Sequence, residues 1–153
     1  NCGNSILKKD SIGYRCKTDA ILLSLNDQYT HDEAYSILQA IVLAACETLN
    51  IDHNEISGCL KYSGNEETGT YDFVLYDTTP GGAGHVRRFS DRETLGRVLN
   101  RAYHKAKDCD CGGEEGDTSC YNCLRTYRNQ HHHDNIKRRY AINALKKGKF
   151  NLL

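Results

Sequence analysis

The sequence predicts an α+β fold. A small, mostly antiparallel sheet is covered by helices, and a C-terminal helical lobe is stapled by a four-cysteine zinc site. Three observations carry this. Strand-like runs flank the polar loop Gly64-Asn65-Glu66-Glu67-Thr68-Gly69, as in a hairpin. Apolar residues recur at helical spacing over 34–49 and again over 95–106. Cys109, Cys111, Cys120 and Cys123 then follow in the pattern C-x-C-x8-C-x2-C.

The elements are justified in chain order. The segment 14–25 ends in a strand with Ile21, Leu23 and Leu25 on one face. Thr30 and Glu33 have the spacing of a capping box. The helix they open carries Ala34, Ile37, Leu38, Ile41, Ala45 and Leu49 on one side. Ala40, Val42 and Ala44 fill the other, so it is buried on more than one face. A strand near 56–62 and a second over 70–77 make the hairpin. In the second, Tyr71, Phe73 and Leu75 oppose Val74 and Tyr76, as expected of a central strand. Pro80-Gly81-Gly82-Ala83-Gly84 interrupts the pattern. Ser90 and Glu93 cap the next helix, whose stripe is Leu95, Val98, Leu99, Ala102, Tyr103 and Ala106. The last helix turns Ile136, Tyr140, Ala141, Ala144 and Leu145 inward and leaves Lys137, Arg138, Arg139 and Lys146 outward.

At 153 residues the chain is read as a single domain, 1–153, with room for a real core. It begins at Asn1 and contains no methionine, which reads as a piece of a longer protein. No apolar stretch is long enough to span a membrane. Eight cysteines in a chain with long periodic segments argue against a disulfide scaffold and for a reducing, cytoplasmic setting. Cys46 and Cys59 are expected to be buried free thiols. The net charge is zero but uneven: 118–153 holds eight Lys or Arg against Asp134 alone. Such a basic segment suits a phosphate-facing surface, and equally a solvated helix face.

Three motifs bear on chemistry. The four cysteines suit one tetrahedral zinc, and a closed thiolate set is structural rather than catalytic. His131, His132 and His133 lie close enough in sequence to replace one cysteine. The glycine-rich loop after a strand offers backbone N–H groups to a phosphate, but no Gly-Lys-Ser/Thr follows, so it is not a Walker A loop. Asp77, Gly81, Gly82, Gly84 and His85 are its candidate functional residues, with Asp77 and His85 a candidate acid–base pair. The alternative is a tight turn that needs glycine for sterics. Asn129–Asn135, with its three histidines, suits either a nuclease metal site or the polar start of the last helix.

Tyr76-Asp-Thr-Thr-Pro-Gly-Gly-Ala-Gly84, Cys109-x-Cys111 and Ser119-Cys-Tyr-Asn-Cys-Leu-Arg-Thr-Tyr-Arg-Asn-Gln130 together resemble the MrfA-type zinc-binding (MZB) domain. That domain sits at the C-terminus of superfamily 2 DEAD/DEAH-box helicases and occurs in the helicase-like DrmB subunit of the DISARM anti-phage system. Tyr14-Arg-Cys-Lys-Thr-Asp19 looks like its start, so the resemblance covers about 14–147. It implies that Cys109, Cys111, Cys120 and Cys123 hold one zinc and that the ATPase motifs lie on other domains. Ser119-Cys120-Tyr121-Asn122-Cys123 replaces the common Gly-Cys-Pro-x-Cys. Ile136-Lys137-Arg138 replaces Leu-Asp-Lys or Leu-Asp-Arg. Both departures point toward the DrmB-like branch.

The expected function is a zinc-binding accessory domain of an ATP-dependent, helicase-like protein in DNA repair or phage defence, without catalysis of its own. Its partners would be the helicase domains of the same chain, DNA, and a partner subunit. Phosphate contacts would come from Arg125, Arg128, Lys137, Arg138 and Arg139, with Tyr121 and Tyr127 stacking on bases. The rivals are a metal-dependent nuclease using Asp77, His85 and His131–His133, and a module that docks a partner protein.

Overall fold

The computed structural model describes residues 13–146 other than 14, 26 and 64–69. Cys2, Tyr14, the loop 64–69 and the last basic residues, Lys147 and Lys149, lie outside the described residues.

Three strands form one antiparallel sheet in the order β1 (Ala20–Ser24), β3 (Thr70–Asp77), β2 (Ile56–Ser63). The register pairs Leu23 with Phe73 and Leu60 with the same residue from the other side. Ile21, Leu23, Gly58, Leu60, Phe73 and Leu75 therefore share the face that packs on the helices. β3 is central, as its two-sided apolar pattern predicts.

Helix α1 (His31–Leu49) starts where the capping box predicts. The Thr30 hydroxyl accepts the Glu33 N–H, and the Glu33 carboxylate accepts the Thr30 N–H. Asn50 ends the helix in the left-handed region (φ 53°). Ala34, Ile37, Leu38, Ala40, Ile41, Ala44, Ala45 and Cys46 are completely inaccessible. A helix with so wide an apolar surface needs partners on several sides. β2 and β3 cover one of them, and α2 (Arg92–Lys107) and α3 (Arg138–Leu145) cover the others.

The sequence expectations need four corrections here. The cap of α2 is Asp91, whose carboxylate accepts the Thr94 N–H at 2.8 Å; Ser90 instead ends a short 3-10 helix, Val86–Ser90. A second 3-10 helix, Tyr127–His132, precedes α3. Cys59 is exposed rather than buried, because strand alternation aims it at the face opposite Leu60. Arg138 is buried rather than outward (4 % exposed). It shares the inward face with Ala141 and Leu145, at helical spacing.

One apolar cluster runs from Ala34 through Phe73 and Val98 to Cys123, Leu124, Ile136, Ala141 and Leu145. The C-terminal lobe is thus continuous with the core over the sheet. Among the described residues no helix is long and apolar enough to cross a membrane.

Candidate metal centre

The cysteines sit on two turns. α2 ends at Asp108, whose N–H bonds to the His104 carbonyl, and the chain leaves through Cys109 and Cys111 into a turn over 111–116. Gly116 has φ 62°, and a Cβ there would lie 3.2 Å from Cγ of Arg138, so glycine answers both the backbone and the space. The second turn is wound on one carbonyl. The N–H groups of Cys123, Leu124 and Arg125 all point at the oxygen of Cys120, at 3.1, 3.1 and 2.9 Å.

These turns bring the four sulfurs together, all within 4.8 Å of one another. Cys109–Cys120, Cys111–Cys123 and Cys120–Cys123 are 3.6, 3.7 and 3.9 Å apart. A tetrahedral zinc with bonds of about 2.3 Å sets its sulfurs about 3.8 Å apart. The donor set therefore fits the ion in number, chemistry and spacing. Among the described residues no other group of three or more His, Cys, Asp or Glu converges in this way.

Electrostatics suit a site that takes up charge with a cation. Burial pushes the Cys111 and Cys123 thiols up. Burial acts the same way on Cys120, but the Asn122 N–H and the neighbouring thiols outweigh it and bring it down to about 7. Four adjacent thiols resist joint ionisation until a metal arrives to accept them. Cys123 also accepts the Cys120 N–H at 3.1 Å, which aims its sulfur.

Arg138 clamps the site from beneath. Its Nε donates to the Cys111 carbonyl at 2.6 Å, Nη1 to the Ala106 carbonyl at 3.3 Å, and Nη2 to the Gly113 carbonyl. It thereby ties the last turn of α2 to the first cysteine turn. The backbone joins in: the Arg138 and Arg139 N–H groups reach Thr118 and Gly116 carbonyls at 3.0 and 3.1 Å. The Arg138 guanidinium is thus buried and already engaged by three carbonyls, which counts against the phosphate contact expected of it. Arg125 is half-buried and partly engaged: its Nε donates to the Ser119 hydroxyl at 3.1 Å, and its Nη2 to the Thr118 hydroxyl at 3.3 Å and the His133 carbonyl at 3.0 Å.

The remaining basic candidates lie outside this lattice. Arg128 is exposed. Lys137 and Arg139 are half-buried and face Asp117 at 3.7 and 2.7 Å. Tyr121 and Tyr127 are 67 % and 78 % exposed, so helix packing does not account for them.

The glycine-rich loop is organised around Asp77 (1 % exposed). One carboxylate oxygen accepts the Ala83 and His85 N–H groups at 2.8 and 3.1 Å, and the other accepts that of Val86 at 3.0 Å. The expected anion nest exists, but the chain's own carboxylate fills it, so it offers no place for a phosphate. Gly81, Gly82 and Gly84 all have positive φ. A Cβ on Gly82 would lie 2.5 Å from the Asp19 carboxylate. The steric reading of these glycines holds. The acid–base pair does not form: Asp77 holds the backbone of His85, whose ring faces Glu55 at 3.8 Å.

Two residues of the histidine run, His132 and His133, are likewise structural in placement, while His131 is exposed. His133 Nε2 lies 2.9 Å from Asn129 Oδ1 and 3.1 Å from the Thr126 carbonyl. His132 packs on Tyr35 with ring centres 4.4 Å apart. None of the three histidines joins the cysteine cluster. Asn129, expected as part of a nuclease metal site or of the polar start of the last helix, is instead a buried hub (2 % exposed). Its amide donates to the Leu124 carbonyl and to Gln39, and its oxygen accepts the Thr126 N–H. Its position in the Arg125–Gln130 motif was the available signal.

Comparison with known proteins agrees with this geometry. A family model described as the MrfA Zn-binding domain matches residues 37–124. The chain is also similar to the Druantia protein DruE of Escherichia coli (strain UMEA 4076-1), 29% identical over 148 residues. That alignment covers 92% of this chain and 8% of the relative, so the chain spans a small part of that protein's length. No solved structure matches.

Proposed function

The chain belongs to the MrfA Zn-binding domain family, and from that premise we propose that it is a zinc-stapled accessory domain of a larger, helicase-like protein acting on nucleic acid, in repair or anti-phage defence. Family membership makes it a zinc-binding domain, and its four-cysteine cluster is compatible with one structural zinc. In this reading Cys109, Cys111, Cys120 and Cys123 hold the ion and the domain does no chemistry of its own.

The observation that carries the reading is the contrast between the sulfurs and the other reactive groups. Four thiols converge at zinc spacing, while Asp77 is spent on three backbone N–H groups. The zinc, when bound, supplies fold stability. The chain's own residues do the rest: Arg138 and Ser119 hold the cysteine turns against α2 and the segment before α3. Arg128, Lys137 and Arg139 then remain as the phosphate-facing cations, giving salt-sensitive, largely sequence-independent contact.

The test uses the full-length parent. Arg128→Ala with Arg139→Ala should weaken single-stranded DNA binding and lower the salt slope by about one for each phosphate no longer neutralised. Unchanged DNA binding and DNA-stimulated ATPase activity in that variant would remove nucleic acid from the reading. A docking role toward a partner subunit would then be the reading to pursue.

A further inference from the structure

We propose that the groove between α1, the edge strand β2 and the 127–132 turn stacks the bases of single-stranded nucleic acid. The inference rests on the reading that the domain meets nucleic acid, and adds which surface would meet bases rather than phosphates.

A run of rings crosses four separate elements. Tyr62 on β2 meets its cross-strand neighbour Tyr71 edge to face, with centres 5.4 Å apart. Tyr71 meets His31 at the start of α1 at 5.9 Å. His31 lies parallel to Tyr35, one turn on, at 6.1 Å. Tyr35 meets His132 at 4.4 Å. Rings that serve only the core are shut away here, as Phe73 and Phe89 are (0 % and 2 % exposed). This run instead reaches the surface, with Tyr62 at one end 51 % exposed and His31 midway exposed.

Beyond Tyr35 the run opens into a cavity of about 240 Å³, walled by Tyr35 and Gln39 of α1, His53 and Asn54 before β2, and Tyr127 and Arg128. That volume admits one planar ring system rather than a drug-sized ligand. Tyr127 offers an almost bare face (78 % exposed), on which any base can stack. Among the described residues no acidic side chain lines the cavity, and Arg128 supplies a cation at its rim. At the far end Asp32 is already engaged by His31 and by Asn135. From His31 to Leu43 the groove follows α1 for roughly 18 Å, the length of about five stacked bases. Val42, Leu43 and Ile56 add an aliphatic floor, and an exposed ring and a cation at the rim of such a floor are the parts of a stacking platform.

The zinc-loaded chain is titrated with a fluorescent oligothymidylate and with an abasic strand of equal length and charge. Oligothymidylate should bind tighter by roughly 5- to 150-fold for each base stacked. Tyr127→Ala should cost a factor in that range on oligothymidylate, leave the abasic strand unaffected and leave the salt slope unchanged. Tyr35→Phe keeps the packing and should bind as the parent does. Equal affinity for the two strands, with a normal salt slope, overturns the stacking site and leaves the backbone contacts standing. Binding of neither strand at low salt overturns both. A preference for oligothymidylate that survives both Tyr127→Ala and Tyr62→Ala places the bases elsewhere and also overturns the proposal.

Discussion

Replacing Arg138 by Met keeps most of the stem volume and removes the guanidinium. The structure sets the cost. Three carbonyls, of Ala106, Cys111 and Gly113, lose their donor; that of Ala106 is buried, while the other two are partly open to water. Leaving a buried carbonyl unsatisfied costs about 1–3 kcal/mol, and a carbonyl that water can reach costs less. A total of about 2 kcal/mol follows, out of a stability that for a domain of this size is roughly 5–15 kcal/mol. In urea, with a slope of about 2 kcal/mol per molar, the midpoint of the zinc-loaded protein should fall by roughly 1 M. Arg138→Lys supplies a point charge without the fork, retains a single carbonyl, and should lose about half as much. Zinc affinity, measured by chelator competition, should drop in the same order. A loss below about 1 kcal/mol for the Met variant, together with weakened DNA binding, would refute the clamp and return Arg138 to the phosphate-facing surface.

Cys120→Ser should leave zinc content well below one per chain by metal analysis, and a chelator should do the same to the parent, with loss of the near-ultraviolet signal of packed tyrosines; full retention of metal would mean the ligand set is wrong. Asp77→Ala takes the acceptor from three N–H groups, of which that of Val86 is buried, and should cost about 2 kcal/mol in chemical denaturation, whereas Asp77→Asn, which keeps an acceptor, should cost less. Burial alone would raise the Glu47 carboxyl, but the hydrogen bonds and charges of Lys105 and Arg101 outweigh it and hold it below the usual carboxylate range. Its folded pKa lies below the unfolded one, so its contribution is present above the unfolded value, near 4.5, and disappears as pH falls through the folded value. Glu47→Gln should therefore flatten the pH dependence of stability in that acid window and leave the slope above pH ~6 unchanged.

The parts of this fold that were legible in the sequence are those set by neighbours in the chain. Thr30 and Glu33 cap α1 because a capping box needs only residues three apart. The alternation Tyr71, Phe73, Leu75 fixes a face of β3 for a similar reason. The cysteine spacing limits what one ion can hold. Arg138 was misread although its spacing to Ala141 and Leu145 was visible, because its partners arise only when a turn some 25 residues upstream has folded. Cys59 was misread because its residue type was given more weight than its place in the alternation. Asp77 was half legible: the loop glycines announced a backbone nest, but not that the nest closes on the last residue of the preceding strand. The ring run from Tyr62 to His132 draws on four elements, and no spacing rule links them.

The zinc staple also acts on more than the lobe that contains it. Cys123 and Leu124 are completely inaccessible and belong to the apolar cluster that includes Ile37, Phe73 and Val98. Ser36 of α1 accepts the Lys137 N–H at 3.1 Å, and Asn129 reaches Gln39 on the same helix. Loss of the metal would loosen the cysteine turns, and with them one of the surfaces that cover α1. A helix buried on so many sides cannot lose one cover without exposing apolar residues to water, at about 25 cal/mol per Å². Metal removal and core unfolding should therefore be a single transition. The same coupling ties the rings on α1 and the 127–132 turn to the metal. Base stacking in this groove should vanish with the zinc even though no cysteine lines the groove.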